Sequence, residues 1–509
     1  MKKLLITLFI MLGAFIPAAC GNSGAANGGM MSPSYGEKFD AMMKPDLDVS
    51  GEGYDVSGEG YNEITELPFV STTELSETFF RLDSNKGSYT NLRRYIENNQ
   101  KINPNLIKTD ELINYFNYDL PDPKDGEDFS ITSSIMRTPW NEETHLITIG
   151  VKTKKVELSE NINNNLVFLI DISGSMTLTN KLDLIREAFP LMLDGLNPND
   201  TVSIVTYASG VKVHLDGCKV ENKEQIVNCI KNLRAGGSTN GAGGLNKAYE
   251  VARKHFISGG NNRIILATDG DFNVGPSSNE ELKSLVSQQL SSGIYLSVLG
   301  FGMGNYQDDM VETLAMHGNG NYAYIDTLIE AKKVLTEDLA TTLISVAKDV
   351  KVKVEFNPEL ITEYRVIGYE NKQLTEDEFE NEEADSGEVG SGHTTVVTYE
   401  VKLNPDEAVL QNPKFLDITI NYKDPTTDES KTLTDTFYTN EINYSNEDFI
   451  FVSCIVEFSL VLRDSSYKAN ANLQNVLSRL ESLQNVQNDV NKLEFIELVK
   501  KVMKNNLIQ

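Results

Sequence analysis

The sequence predicts an α/β fold: a doubly wound, mostly parallel sheet inserted in a smaller β-rich unit, with helices at the C-terminus. Three observations carry this expectation. The apolar runs Leu166-Val167-Phe168-Leu169-Ile170 and Ile264-Ile265-Leu266-Ala267 each run into an aspartate and read as strands buried on both faces. Strand and helix signals alternate through residues 162–350, as in a sheet wound by helices. Period-two alternation appears on both sides of that region, at 129–158 and again beyond 350, as in strands with one buried face.

Taken in order, Met1-Lys2-Lys3 and the apolar residues 4–16 have the charged and hydrophobic regions of a signal peptide, too short to span a bilayer. Pro17-Ala18-Ala19-Cys20 resembles a bacterial lipoprotein cleavage box, with Pro17 where such boxes usually carry leucine. The resemblance implies a signal peptide at 1–19 and a lipidated Cys20 as the first mature residue, with simple secretion as the alternative. Residues 20–64 are rich in Gly, Ser and Asn and read as a flexible tether. Within it, Asp48-Val49-Ser50-Gly51-Glu52-Gly53-Tyr54 recurs at once as residues 55–61. A calcium loop beginning at Asp46 is rejected, because Ser57 stands where the closing glutamate belongs.

Residues 65–161 form an N-terminal segment with short helices at 89–96 and 109–116, followed by strands within 129–158. The central domain, 162–350, has further buried strands at 201–208, 294–302 and 321–326. Helices are expected at 181–196, 280–290 and 309–316, with a long helix over 328–348 closing the domain. Residues 351–445 are β-rich, with strands at 350–356, 364–369, 394–403 and 415–422. The 129–158 strands are expected to join them, which makes the central domain an insertion. In the C-terminal region, 446–509, the apolar stretch 449–462 has only 14 residues and contains Glu457, so it reads as a buried helix rather than a membrane span. Amphipathic helices near 471–484 and 491–505 complete the chain.

The chain carries 45 Lys and Arg against 74 Asp and Glu, a formal net charge of −29. Losing Lys2 and Lys3 with the signal peptide makes it −29 − 2 = −31. Such a balance excludes broad nucleic-acid binding, which needs clustered cations, and disfavours anionic headgroups except through an acyl anchor.

The central domain concentrates the chemistry. Asp171-Ile172-Ser173-Gly174-Ser175 follows the first buried strand, Gly236-Gly237-Ser238-Thr239-Asn240 precedes an amphipathic helix, and Asp269 ends the second buried strand. A strand end turning into a helix is where open α/β sheets place ligands, and oxygen donors suit Mg²⁺, Mn²⁺ or Ca²⁺. The set DxSxS, then Thr, then Asp resembles the metal-ion-dependent adhesion site of von Willebrand factor type A (VWA) domains. That resemblance implies Asp171, Ser173, Ser175, Thr239 and Asp269 as metal-site residues. It implies Mg²⁺ as the cation, with Mn²⁺ or Ca²⁺ as alternatives, and a protein partner whose Asp or Glu carboxylate completes the shell.

Ser88-Tyr89-Thr90-Asn91-Leu92-Arg93-Arg94, Glu111-Leu112-Ile113-Asn114-Tyr115-Phe116 and Thr138-Pro139-Trp140-Asn141 resemble the flank preceding the domain in a family of bacterial VWA lipoproteins. Tyr364-Arg365-Val366-Ile367-Gly368-Tyr369-Glu370-Asn371 and Gly387-Glu388-Val389-Gly390-Ser391-Gly392-His393-Thr394 resemble its C-terminal region. The family's acidic strand before Ser88 is altered here to Leu82-Asp83-Ser84-Asn85-Lys86-Gly87. The implied function is a lipid-anchored envelope protein, on the periplasmic or extracellular face, binding a partner through the cation rather than acting as an enzyme. The alternative is an envelope assembly or signalling scaffold whose cation is structural or regulatory.

Competing chemistries fit less well. His145, His214, His255, His317 and His393 lie in no triad or GxSxG context. The Gly-rich loop at 236–244 lacks the GK[ST] ending of a P-loop. Asp269, Asp271, Asn273 and Glu280 have EF-hand spacing, but Val274 replaces the glycine. The acidic run 376–383 with Asp385 and Glu388 reads as a solvated hairpin loop. A bridge between Cys218 and Cys229 is left open, and Cys454 reads as a buried small apolar residue.

Overall fold

The computed structural model describes residues 59–82, 85–156, 163–270, 279–289, 292–303, 306–338, 343–381, 387–404, 414–438 and 446–508. The signal peptide, Cys20, the tether through residue 58, and Asp271, Asn273 and Asp385 lie outside them.

The central sheet runs in the order Tyr322–Ile325, Tyr295–Phe301, Asn261–Thr268, Asn164–Asp171, Thr201–Tyr207, Val211–Lys219. All neighbours are parallel except the last pair. Alternation along the strand Asn164–Asp171 explains the two helical layers. Leu166, Phe168 and Ile170 pack with Ile185, Phe189 and Ile226 on one face. Val167 and Leu169 meet Leu245, Leu282 and Val311 on the other. Both faces are covered, so every residue of that strand is buried.

The β-rich unit is two antiparallel sheets with a shared apolar core. One runs Val70–Ser71, Ile361–Ile367, Thr394–Leu403, His145–Thr153, Phe129–Arg137. The other runs Gln373–Leu374, Glu77–Arg81, Ser345–Phe356, Lys414–Lys423, Ser430–Tyr438, with Val389–Gly390 also paired to Ser345–Phe356. Strands from before and after the central domain therefore share one core, and the central domain is an insertion between them.

Three expectations are corrected. The helix over 328–348 does not form: Leu328–Lys332 continues as a wider turn, Lys333–Glu337, and the chain is extended from Ser345. Val350, Val352 and Val354 all enter the sandwich core, so sheet burial overrides helical spacing, and the β-rich unit begins near 345 instead of 351. The tether also ends earlier than residue 64, since Glu59, Gly60 and Tyr61 are seated on the body. The strands Val211–Lys219 and Ser430–Tyr438, not foreseen, are partly or largely exposed, although Val211-Lys212-Val213-His214-Leu215-Asp216 carries the period-two alternation of a half-buried strand.

A third core gathers helices from both ends of the chain. Gly87–Glu97 and Thr109–Asn114 pack with Glu447–Leu462, Leu473–Ser482 and Val490–Asn505. Glu457, inside the apolar helix, pairs with Arg479 and accepts the Asn472 N–H at 2.9 Å. Among the described residues no helix is long and apolar enough to cross a membrane. Buried ion pairs tie this unit and the N-terminal segment to the central domain: Arg93 to Asp326 at 2.6 Å, Lys108 to Asp308 at 2.7 Å and to Glu312 at 2.8 Å.

Candidate metal centre

Parallel pairing of Ile170 with Ala267 carries the ends of two central strands to the same edge of the sheet. Asp171 ends one strand; Thr268 ends the other, and Asp269 follows it. The Asp171 carboxylate is fully buried and held at both oxygens. Its Oδ1 accepts the Ser173 N–H at 2.8 Å, and its Oδ2 accepts the Thr268 hydroxyl at 3.1 Å. The chain then tightens into a short 3₁₀ turn, Gly174–Thr177, with the Ser173 and Ser175 hydroxyls 3.0 Å apart.

The loop carrying Thr239 is stitched to this turn through main-chain atoms. Gly236 N–H donates to the Ile172 carbonyl and Gly174 N–H to the Gly237 carbonyl, each at 2.8 Å. Asn240 N–H donates to the Ala208 carbonyl, also at 2.8 Å. Gly237 has φ +96°, and a Cβ there would lie 2.6 Å from the Ser209 hydroxyl, so the loop needs glycine to lie this close. Asn240 then caps the helix Gly241–Lys254, accepting the Gly243 N–H. Thr239, 2 % exposed, is held between these anchors.

Asp269 brings a residue that spacing did not single out. The Lys181 ammonium lies 2.8 Å from Asp269 Oδ2, and both side chains are fully buried. Lys181 enters from the irregular turn Thr179–Asp183 and passes over Gly302, where a Cβ would fall 2.1 Å from the lysine Cε. Thr268 was likewise not singled out, although it directly precedes Asp269. Lys181 left no signal in the sequence, because its position at the start of an amphipathic helix says nothing of where a long side chain ends.

Electrostatics at the site favours a cation. Burial, and after it the negative charge of Asp269, push the Asp171 carboxyl up to about 7. Asp171, Ser173, Ser175, Thr239 and Asp269 offer only oxygen donors, with neither sulfur nor imidazole, the chemistry that a hard divalent ion takes. Among the described residues no cluster of three or more His, Cys, Asp or Glu could hold a metal, so any cation here relies on the hydroxyls as well. His214 instead meets Thr206 at 3.0 Å and His255 meets Asp216 at 2.6 Å. Cys218 and Cys229 are free thiols and only partly buried, and Cys454 is fully buried.

Three family profiles match the chain: von Willebrand factor at 55–148, von Willebrand factor type A domain at 165–338, and the C-terminal region of the uncharacterized protein YfbK at 341–504. YfbK of Escherichia coli K12 is 38% identical over 420 residues, covering 78% of this chain and 73% of that protein. Inter-alpha-trypsin inhibitor heavy chain H3 of Rattus norvegicus is 31% identical over 167 residues, 31% of this chain and 19% of its own length. Among solved structures, a von Willebrand factor type A protein from Catenulispora acidiphila aligns with a TM-score of 0.44 at 15% identity, covering 71% of this chain and 88% of that one.

Proposed function

Because the chain belongs to the YfbK family of VWA domain proteins, we propose that it is an envelope lipoprotein that binds a protein partner through a divalent cation. VWA domain proteins typically mediate protein–protein interaction. The observation that carries the cation reading is the buried pair Asp171 and Asp269 beside the Ser173 and Ser175 hydroxyls, where burial first and then the charge of Asp269 raises the Asp171 carboxyl. Asp171, Ser173, Ser175, Thr239 and Asp269 would hold the ion, Mg²⁺ first and Mn²⁺ or Ca²⁺ as alternatives. Bound there, it supplies an electrophilic point for an Asp or Glu carboxylate of the partner.

The chain's own residues do the rest. Ser173 N–H and the Thr268 hydroxyl orient the Asp171 carboxylate, and the 236–240 loop is fixed in advance by its main-chain bonds. Lys181 neutralises Asp269, which lets two acids be buried together before an ion arrives. Binding rather than catalysis is the function proposed, since His214 and His255 are engaged with Thr206 and Asp216 and the one carboxylate on Ser173, Asp171, belongs to the cation set itself.

Partner capture from envelope extract should be lost in EDTA and return when Mg²⁺ is added back. Capture that ignores the chelator would leave the cation a structural role and favour a scaffold. Attachment rests on Cys20 and its small-residue flank. Cys20→Ala should move the protein from the membrane fraction to the soluble one; a variant that still sediments with membranes would refute the anchor.

A further inference from the structure

The end of the tether is read residue by residue. The Glu59 carboxylate is fully buried and takes both arms of the Arg94 guanidinium, each at 2.8 Å. It also accepts the Tyr95 hydroxyl at 3.0 Å and the Tyr61 hydroxyl at 2.7 Å. Arg94 is itself backed by the faces of Tyr95 and Tyr324, 4.9 and 5.3 Å from the ring centroids. Gly60 pairs with the central domain in strand fashion: its N–H donates to the Tyr306 carbonyl at 3.0 Å, and its carbonyl accepts the Asp308 N–H at 3.2 Å. A Cβ at Gly60 would stand 2.6 Å from Gln307 Oε1, so any other residue there would have to displace the end of that side chain. Tyr61 packs edge-on against Tyr95 with centroids 6.5 Å apart. A bidentate carboxylate clamp, a main-chain bridge that leaves little room for a side chain unless Gln307 moves, and an aromatic contact together favour the sequence Glu-Gly-Tyr.

The chain carries that sequence twice. Glu52-Gly53-Tyr54 closes the heptad 48–54 as Glu59-Gly60-Tyr61 closes 55–61, and all seven residues are identical. The matched family profile begins at 55, so it includes the second copy and leaves out the first. We infer that the seat formed by Arg94, Tyr95 and the 306–308 main chain is a recognition site for Glu-Gly-Tyr peptides, and that Glu52-Gly53-Tyr54 is its second ligand. Exchange of copies shifts the tether by seven residues and leaves those seven as a loop on the body side, an insertion that loop-closure entropy tolerates. Both registers also support the same neighbour of the candidate metal centre, because Gln307 N–H donates to the Asp269 carbonyl at 3.2 Å. A spare copy keeps that loop supported when the tether is pulled free of the seat in one register.

Amide hydrogen exchange on the full chain tests this. In wild type and in Glu52→Ala, the Gly60 and Asp308 amides should exchange slowly. In Glu59→Ala, Gly53 should become slow in place of Gly60 while Asp308 stays slow, at all protein concentrations. In the double variant Asp308 should exchange at least tenfold faster. The synthetic peptide Asp-Val-Ser-Gly-Glu-Gly-Tyr should then restore its protection, and the same peptide with Ala for Glu should not. A fast Gly53 together with a fast Asp308 in Glu59→Ala would overturn the second-ligand assignment. So would protection that appears only as concentration rises, since the occupant would then be another copy of the chain. A slow Asp308 in the double variant would overturn the seat itself.

Discussion

Asp171→Asn is expected to abolish the response of the protein's melting to Mg²⁺ while leaving the metal-free fold intact. Asparagine keeps the shape and one oxygen acceptor, so the Ser173 N–H that now meets Oδ1 at 2.8 Å can stay satisfied. It removes the negative charge that burial and Asp269 penalise, so the metal-free variant should melt no lower than wild type. The sheet rests on Phe168, Ile170 and Ile265, which the substitution does not touch. Wild type with Mg²⁺ at roughly a hundred times its dissociation constant should gain about 2.7 kcal/mol. For a domain of this size that is a rise on the order of 5–10 °C. The variant should show no rise, and partner capture should vanish with it. Lys181→Met is the complementary change: without its ammonium Asp269 is a buried charge lacking its ion pair, so metal-free melting should fall and the Mg²⁺-induced rise should grow. Differential scanning calorimetry with and without Mg²⁺ reads all three proteins. An Asp171→Asn protein that responds to Mg²⁺ as wild type does would end the metal-site reading.

Arg93→Met should lower the unfolding free energy by about 3–5 kcal/mol. One buried guanidinium serves three carboxylates from two other parts of the chain. Its Nε and Nη2 bind Asp326 at 2.8 and 2.6 Å, Nη2 also binds Glu330 at 2.8 Å, and Nη1 binds Glu494 at 3.2 Å. Asp326 and Glu330 belong to the end of the central domain, Glu494 to the C-terminal helix Val490–Asn505. Methionine fills much of the volume but leaves three buried acids crowded together. Burial already raises the Glu494 carboxyl, so the variant should relieve part of the repulsion by taking up a proton there. Urea titration measures the loss. Adding Asp326→Asn to the variant should recover part of it, because the two residues are directly coupled. A loss below about 1 kcal/mol would mean that the network does not hold the units together.

Much of the fold and most of the candidate site could be read from the chain alone, for a definite reason. A strand buried on both faces must be apolar throughout, so Leu166-Val167-Phe168-Leu169-Ile170 announces both the strand and the place where it stops, at Asp171. Asp171, Ser173, Ser175, Thr239 and Asp269 lie at strand ends and in tight Gly-bearing loops, features with local sequence signals. The insertion was legible too, because alternation on either side of the central domain marks strands that need a common core.

What only the tertiary structure decided lies in long side chains and non-local pairing. The stretch expected as helix from 328 to 348 becomes strand at Ser345, since Glu77–Arg81 and Lys414–Lys423 stand on either side to pair with it, far away in the chain. Lys181 reaches Asp269 across 88 residues of sequence, through space that Gly302 leaves open. Glu59 had the composition of a solvated tether, and it is buried because Arg94, Tyr95 and the 306–308 main chain meet where it lands. Local pattern records which backbone a segment prefers. Which charge ends up beside which is set by the packing of segments distant in sequence, where a buried ion must find its partner or not be buried at all.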